Sequence, residues 1–523
     1  MKLRSLLSTR YWRTVLALGG GPLASLRLVV QVLRSEGPHG LWWRLRNAGQ
    51  VAEGELDPWR HFFLEGGQEN PFALQRLEQL WSGQDDSLLA DLQVLQKATK
   101  NQHHREIAAW TLGRWYARKE RWPDALHAME TAITRRPITR APLGVVLLWV
   151  DVLRHNGRRA QALQVLSQTA THTRSVQESA DLDLARANLL RPAASQPTTA
   201  WLEVVNTPLI RAELVPLALS EDNSVGLQIN RVRAAASRPT DNGPLVSVVV
   251  PAFNAAHSLP MVLNCLAAQS WRMLEVLVVD DGSADETAEI AEGFAAQDGR
   301  FRLIRLGQNQ GAYAARNTGM AQARGQFLTV HDADDWSHPQ KIALQAQALL
   351  EQPKAMVSFS HLVRCSADLV FGSWKSPAYW HAWVVRNTSM MMLRRSAFER
   401  LGYWDDVRCS ADAEYYYRAL KVFGAPAMVD AVPGVPLSLC VVEANSLTQT
   451  SDTHMFTLFG GLRKQYHDAF QQWHQQFDAA DPRSLHLERH SKQRPFPVPA
   501  GMLRKSAPSV NRNGSGEPNQ AGR

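Results

Sequence analysis

Five aspartates fall in two tight groups, Asp280 and Asp281 in VVDDGS and Asp332, Asp334 and Asp335 in VHDADDW, each behind a short apolar run at 274–279 and 327–330. Apolar runs of that length bounded by turn residues read as buried strands, so both groups belong at strand ends on one edge of a sheet. Carboxylates gathered at one edge repel one another and are costly unless a cation or a ligand's donors compensate them. Such a set calls for a hard divalent ion, Mg or Mn, bound through oxygen. The ion attracts a second anion, and a diphosphate is the natural one, because carboxylates meet phosphate oxygens only through a shared ion.

Four stretches carry the reading further: VSVVVPAFNAAHSL, LVVDDGSADET, NQGAYAARNTGMAQARGQFLTVHDADDW and SADAEYYYRAL. In this order and spacing they resemble the inverting family 2 glycosyltransferases of the GT-A fold. A DxD triplet alone is weak evidence, since such triplets also arise as helix caps and calcium loops; four ordered motifs are specific. The resemblance implies transfer of a sugar from a nucleotide-diphosphate sugar to a hydroxyl on a saccharide or lipid-linked saccharide acceptor, in bacterial surface polysaccharide or glycoconjugate synthesis.

Residue by residue, the resemblance puts Pro251, Ala252 and Asn254 in the first nucleotide-side loop and gives one of Asp280 and Asp281 to the base. Asp332 and Asp334 match the DxD, with Asp334 as direct metal ligand and Asp332 contacting the ribose or metal-bound water. Asp335 stands open between a ligand role and capping of the helix that Ser337 and Pro339 introduce. Gly311, Arg316, Asn317 and Gly319 match the helix before the metal strand, where Arg316 either faces the diphosphate and donor sugar or sits in a structural ion pair. Inversion needs a base that removes the acceptor proton as its oxygen attacks opposite the leaving diphosphate, and Asp412 takes the place of that base. Ala411 stands where many relatives carry Glu, and Glu414 diverges from Asp412 by about 200° around a helix, so only one of the two can face the pocket.

Some neighbours have blander expectations. Ser283 and Asp285 read as caps of the next helix, His331 as a packed histidine, and Trp404, Tyr415, Tyr416 and Tyr417 as core aromatics, with sugar stacking as their other role.

The elements that must position these residues are strands at 246–250, 274–279, 301–306, 327–330 and 356–363, alternating with helices. Continuous apolar strands separated by helices predict a mostly parallel sheet covered on both faces, with ligands at the strands' carboxyl ends. The expected fold class is therefore an α/β, Rossmann-like GT-A catalytic domain at 245–455, preceded by an all-α helical-repeat domain at 86–231 and a linker at 232–244. Ala109, Leu112, Gly113, Tyr116, Ala125, Met129, Ala132 and Pro137 fall at the spacings of a tetratricopeptide repeat, with a degenerate copy at Trp149, Leu153, Gly157, Ala162 and Leu166. Such repeats either hold a protein partner or brace the catalytic domain. The stretch DPWRHFFLEGGQENPF in the basic N-terminal region 1–85 resembles a segment found beside catalytic domains in bacterial surface-polysaccharide glycosyltransferases. A helix is expected at 456–480 and a disordered basic tail at 481–523.

Composition sets the outer bounds. The formal net charge of +8 is confined to the two ends: eight Lys and Arg against one acidic residue in 1–50, and eight against three in 481–523. The body between is slightly acidic, which argues against a nucleic-acid groove, while the ends suit either solvated tails or contact with anionic lipid. The apolar run at 14–18 is too short to span a bilayer, leaving residues 1–34 to an interfacial or a packed helix. Four scattered cysteines without a CxxC pair fit a reducing cytoplasm, with peripheral membrane contact open. Two other classes stand beside the enzyme: an interaction protein with a retired GT-A domain, and a nucleotidyltransferase, against which the first strand's turn reads PAFNAAHS where a Gly-rich phosphate loop belongs.

Overall fold

The computed structural model describes residues 85–503 apart from 99–101, 135–136, 139–140, 142, 172–174, 194–195, 221–225, 236, 373–381, 443–452, 455–456, 458–460 and 490–493. The chain divides into units Met1–Pro71 and Phe72–Arg523, and every described residue belongs to the second. The expectations for residues 1–84, including the basic helix and the DPWRHFF segment, and for 504–523 lie outside the described residues.

Seven helices come first: α1 (Asp85–Ala98), α2 (Gln102–Arg118), α3 (Trp122–Ile133), α4 (Leu143–His155), α5 (Arg159–Ala170), α6 (Val176–Leu189) and α7 (Thr199–Arg211). The seam residues read from the sequence are buried: Ala109, Leu112 and Tyr116 on α2 face Ala125, Met129 and Ala132 on α3, and Trp149 and Leu153 on α4 face Ala162 and Leu166 on α5. Small residues at these positions let the helix pairs close, since a Cβ on Gly113 would meet Met129 Cγ at 2.9 Å. The all-helical expectation to 231 fails at its end. Leu217–Leu219 (β1) pairs antiparallel with Val232–Ala234 (β2), inside the expected linker. Asn206 supplies the reason, donating to and accepting from the Leu217 backbone at 2.9 and 2.6 Å, so the segment after α7 is held extended.

The catalytic-domain elements follow as β3 (Val246–Ala252), α8 (Leu259–Ala267), β4 (Leu274–Asp280), α9 (Thr287–Gln297), β5 (Phe301–Arg305), α10 (Ala312–Gln322), β6 (Phe327–Val330), β7 (Trp336–Ser337) and α11 (Lys341–Glu351). After them come β8 (Val357–Phe359), β9 (His361–Cys365), β10 (Phe371–Gly372), β11 (Val385–Arg386), β12 (Met392–Arg394), α12 (Arg395–Leu401), α13 (Ala411–Phe423), β13 (Met428–Asp430), β14 (Pro436–Val441) and α14 (Leu462–His474). The main sheet runs β13-β8-β12-β6-β3-β4-β5, and a smaller one runs β10-β9-β14-β7 with β11 also on β9. β3 pairs in parallel with both β4 and β6. The chain leaves β3 toward β4 and β5 and returns to its other side at β6, so β3 is the switch point where crevices open at the carboxyl edge.

Two differences from the expected strands matter. The run at 356–363 is divided at Ser360 into β8 and β9, which join different sheets, and β12 enters antiparallel between β6 and β8. The expected C-terminal helix is shorter, Leu462–His474. The tail expected to be disordered is in part packed: Tyr403 N–H donates to Leu487 O at 2.9 Å, Arg494 pairs with Asp405, and Phe496 and Met502 are buried in the core. Four apolar residues spaced through a polar stretch, Leu485, Leu487, Phe496 and Met502, are enough to anchor it.

α10 crosses β3 and β4 at Gly319, where an added Cβ would lie 2.3 Å from Val249 Cγ1 and 3.1 Å from Val279 Cγ2. Crowding of that kind typically costs about 1–3 kcal/mol. Gly319→Ala is therefore expected to lower the unfolding free energy by that amount, read as a lower urea midpoint with an unchanged slope, and a full wild-type midpoint would show that the helix has room to move.

Candidate active site

The turn after β4 and the loop after β3 are laced together before any ligand is considered. Asn254, at φ +48°, donates its N–H to Ser283 Oγ (2.9 Å), and its Oδ1 accepts from Ala284 N (2.9 Å). Asp285 Oδ2 accepts from Ala256 N (3.0 Å), and Thr287 Oγ1 from Ala255 N (2.8 Å). Ser283 thus ties the two loops together and does not cap α9; Asp285 does both, since its Oδ1 also accepts from Thr287 N at 3.1 Å in the helix's first turn.

The two aspartates ending β4 have separate tasks. Asp280 accepts from Ser283 N (3.1 Å), closing the turn, and does not line the cleft. Asp281 does line it, and its two oxygens accept the Gln310 and Gly311 amides, each at 2.6 Å, at the start of α10. Gly282 permits this approach: it has φ +74°, and a Cβ there would meet the Gln308 backbone at 2.9 Å.

A cleft of about 770 Å³ opens at this edge, and Pro251, Ala252, Asn254, Asp281, Arg316, Asp332, Asp334 and Asp412 all line it. Residues remote in sequence thus converge as the sequence predicts, with Asp280 the exception. Asp332 is paired with Arg316 Nη2 at 2.5 Å. Asp335 is buried, accepts from Val441 N at 3.0 Å and caps no helix; α11 starts only at Lys341, after Gln340. Burial, together with the charges of Asp334 and Asp332, holds the Asp335 carboxyl well above the usual carboxylate range.

Arg316 is 6% exposed. Burial alone would weaken its hold on the proton, but Asp332, Tyr313 and Asp412 raise it above its ordinary value, so the guanidinium is fixed as a cation. Its Nε and Nη1 have no hydrogen-bond partner among the described residues. A buried, charged donor left unsatisfied costs several kcal/mol, roughly 1–3 or more, unless a ligand completes it.

Asp412 lies in the first turn of α13, after Ser410 in a left-handed conformation at φ +68°. Tyr313 O–H donates to its Oδ1 at 2.9 Å, and Ser389 O–H to its Oδ2 at 3.1 Å. Burial would raise the Asp412 carboxyl, but Arg316, the Tyr313 hydroxyl and Arg463 bring it below the ordinary value. It is therefore an oriented carboxylate at neutral pH. Glu414, two residues on, faces away into the core, ion-paired with Arg418 (3.0 Å) and His474 (2.9 Å). Tyr415 stacks on Trp404 at 4.3 Å, in the core as expected.

Several participants escaped the sequence reading. Tyr313, Ser389, Asn387 and Arg463 line the cleft, yet none stands out as a residue type at its position. Lys341, buried beneath the acidic loop, donates to Ser337 Oγ at 3.1 Å, and its pKa falls to about 8 through burial. Ser337 also meets His331 Nε2 at 2.8 Å, and burial with Lys341 nearby takes His331 down to about 3, a neutral packed ring as expected. The HPQK stretch after the acidic triplet was the available signal for Lys341.

A divalent ion fits these residues in one manner. Among the described residues no group of three or more His, Cys, Asp and Glu is arranged to enclose a metal. Asp334 with the oxygen of Asp332 not held by Arg316 gives one or two carboxylates, the number Mg²⁺ uses when substrate phosphates and water complete its octahedron. The donor set suits an ion brought in with a phosphorylated ligand, and the unsatisfied Arg316 nitrogens suit the same anion.

Residues 247–402 match the profile described as Glycosyl transferase family 2. An uncharacterized glycosyltransferase of Haemophilus influenzae is 36% identical over 131 residues, 25% of this chain and 49% of that protein. The succinoglycan biosynthesis protein ExoO of Rhizobium meliloti is 40% identical over 102 residues, 20% of this chain and 29% of that protein. The match thus spans half or less of these relatives' length. The crystal structure of Staphylococcus aureus TarS with UDP-GlcNAc aligns over 45% of this chain and 68% of its own, at 18% identity and a TM-score of 0.35.

Asp412 and Glu414 should separate cleanly by stability. Glu414→Ala leaves Arg418 buried without its partner, an expected loss of about 3–5 kcal/mol, whereas isosteric Asp412→Asn in the cleft should change stability by less than about 1 kcal/mol. Urea unfolding of both variants decides it, and similar losses would mean that Asp412 is also part of the core.

Proposed function

We propose that the chain, whose residues 247–402 match the family 2 glycosyltransferase profile, is an inverting, metal-dependent hexosyltransferase of the GT-A fold using a nucleotide-diphosphate sugar. The observation that supports it most is the meeting of Asp281, Asp334 and Asp412 in one cleft with a buried arginine, Arg316, whose Nε and Nη1 have no hydrogen-bond partner among the described residues.

The assignments follow from the geometry. The loop of Pro251, Ala252 and Asn254 and the turn at Asp281 receive the nucleoside. Asp281 already holds two amides, so its contact to the base uses remaining lone pairs of the carboxylate. Mg or Mn, when bound at Asp334 and Asp332, would supply charge neutralisation of the departing diphosphate. Arg316 offers Nε and Nη1 to the same diphosphate and holds Asp332 in place with Nη2. Asp412 removes the acceptor hydroxyl's proton as that oxygen bonds to the anomeric carbon. The bond from that carbon to the diphosphate oxygen breaks on the opposite face, and the electron pair leaves with the nucleotide. Tyr313 and Ser389 keep the Asp412 oxygens aimed during this step.

A saccharide or lipid-linked saccharide is the proposed acceptor, in surface polysaccharide or glycoconjugate synthesis, which the ExoO match supports. We place the reaction in the cytoplasm or at the inner membrane face. The four cysteines are all free and buried, which suits a reducing compartment. Among the described residues no helix is long and apolar enough to cross a membrane.

Donor hydrolysis across UDP, GDP and dTDP sugars with Mn²⁺ or Mg²⁺ tests the reading. Asp412→Asn should lose about 10²–10⁴-fold in kcat, and Asp334→Ala should lose metal stimulation; full activity in both variants would remove the assignments. The base works deprotonated, so activity falls as pH drops through its pKa, and the lowered Asp412 value puts that acid limb below the ordinary aspartate value of about 3.9. Arg316→Gln removes the charge that depresses it, so the acid limb should move to higher pH; an unmoved limb would assign the titration to another group.

A further inference from the structure

The helical unit reaches into the catalytic domain through one helix stripe. Asp181 and Asn188 on α6 are seven residues apart, two turns, and so share a face. Asp181 is fully buried, and its Oδ1 and Oδ2 accept the Val384 and Trp383 amides at 2.7 and 3.1 Å. Asn188 accepts from Phe371 N at 2.9 Å and donates to Phe371 O at 2.7 Å, as a neighbouring strand would. Just past the helix, Arg191 pairs with Asp368 at 2.8 Å, and Trp201 from α7 stacks on Phe371.

These contacts fall on the backbone of β10 and of the residues leading into β11, the two strands that flank β9 on the side away from β14. β10 and β11 both pair antiparallel with β9, and α6 secures the backbone of β10 and the approach to β11. From Val384 the chain runs directly into the cleft wall: Val385, Asn387, Thr388 and Ser389 line it, and Ser389 holds Asp412. Asn387 is fully buried in this wall, and its Nδ2 has no partner among the described residues.

We propose that Asp181 and Asn188 are positioning residues for acceptor binding: they fix the wall at 382–389, so that the helical unit, remote from the donor loops, governs acceptor recognition. The proposal rests on the glycosyl-transfer reading above. The Asp181 side chain satisfies two adjacent amides at once, one on each oxygen, and these bonds offset part of the burial that pushes its pKa up to about 8. Asn offers one accepting oxygen and turns an amide donor toward a backbone donor. Ala leaves two buried N–H groups unpaired. The consequences therefore grade from Asn to Ala, and the donor side, built from 251–255 and 281, is left untouched.

The full chain carries the test, as wild type, Asp181→Ala, Asp181→Asn and Asn188→Ala. Three quantities are measured: affinity for UDP, GDP and dTDP with Mn²⁺, transfer kinetics to a panel of p-nitrophenyl hexosides, and hydrogen exchange of the 382–389 amides. The expected result for Asp181→Ala is faster exchange at 382–389 and an acceptor KM raised by about tenfold or more, as befits unpaired buried donors, with nucleoside diphosphate affinity changed by less than about twofold. Asp181→Asn and Asn188→Ala should show smaller changes of the same kind, and they carry the test if Asp181→Ala does not fold. Faster exchange with an unchanged acceptor KM overturns the proposal, because the contact is then only structural. Parallel losses of nucleotide affinity and acceptor KM overturn it as well, since the effect is then global. If the wild type neither binds a nucleoside diphosphate nor turns over a donor, the glycosyltransferase reading itself fails and this proposal goes with it.

Discussion

Negative charge concentrated at the carboxyl edge of the main sheet is the constraint around which the site is arranged. Asp332, Asp334 and Asp335 fall within four residues, and Asp281 and Asp412 join them from other loops. Buried cations answer this field, Arg316, Lys341 and Arg463 among them. Arg316 contacts Asp332 directly and lowers the Asp412 carboxyl through space, so one guanidinium couples the donor side to the base. Lys341 lies beneath, linked through Ser337 to His331. Asp334 lines the same cleft, and under the proposed function it is where a divalent ion would meet a phosphorylated ligand.

The backbone makes that arrangement possible by close approach. Gly319 lets α10 lie against β3 and β4, which carries Arg316 to the edge of the sheet, and Gly282 lets the turn after β4 press on 308–309, which brings Asp281 to the start of the same helix. Asp281 therefore fixes the helix bearing Arg316, and Arg316 fixes Asp332. A change at either glycine would be felt at the far end of this series of contacts, with no ligand-touching residue altered.

The four strands at 246–250, 274–279, 301–306 and 327–330 were legible because each is a continuous apolar run, and the cleft-lining aspartates because they follow two of those runs or sit in an ordered motif. Periodicity carries no information on pairing, which is why the division of 356–363 at Ser360 and the antiparallel insertion of β12 were not foreseen. The capping reading of Ser283, and the capping alternative left open for Asp335, fail for the same reason: local sequence offered a helix to cap, while the actual partners, Asn254 and Val441, come from distant segments. The β1–β2 pair and the packed stretch after 481 depend on a few tertiary anchors, Asn206 in one case and Phe496 and Met502 in the other, too sparse to show as a pattern. Asp181 is the extreme case, since its partners are about two hundred residues away and nothing local marks an aspartate in a helix as a backbone clamp.

Under the proposed role of Asp412 as base, its state decides where catalytic power must come from. A carboxylate whose pKa is depressed by a nearby guanidinium is a weak base, so basicity contributes little to removing a proton from a hydroxyl. What remains is placement: a fixed carboxylate, held at both oxygens, beside the point where the acceptor oxygen must arrive. One of its two hydroxyl donors, Tyr313, belongs to the same helix as Arg316 and is buried in the core, so it is set by the sheet. The other, Ser389, belongs to the wall that α6 holds from outside the catalytic domain. Asp412 is thus held by two independent supports, and the one proposed to bound the acceptor's space is the one that α6 contacts.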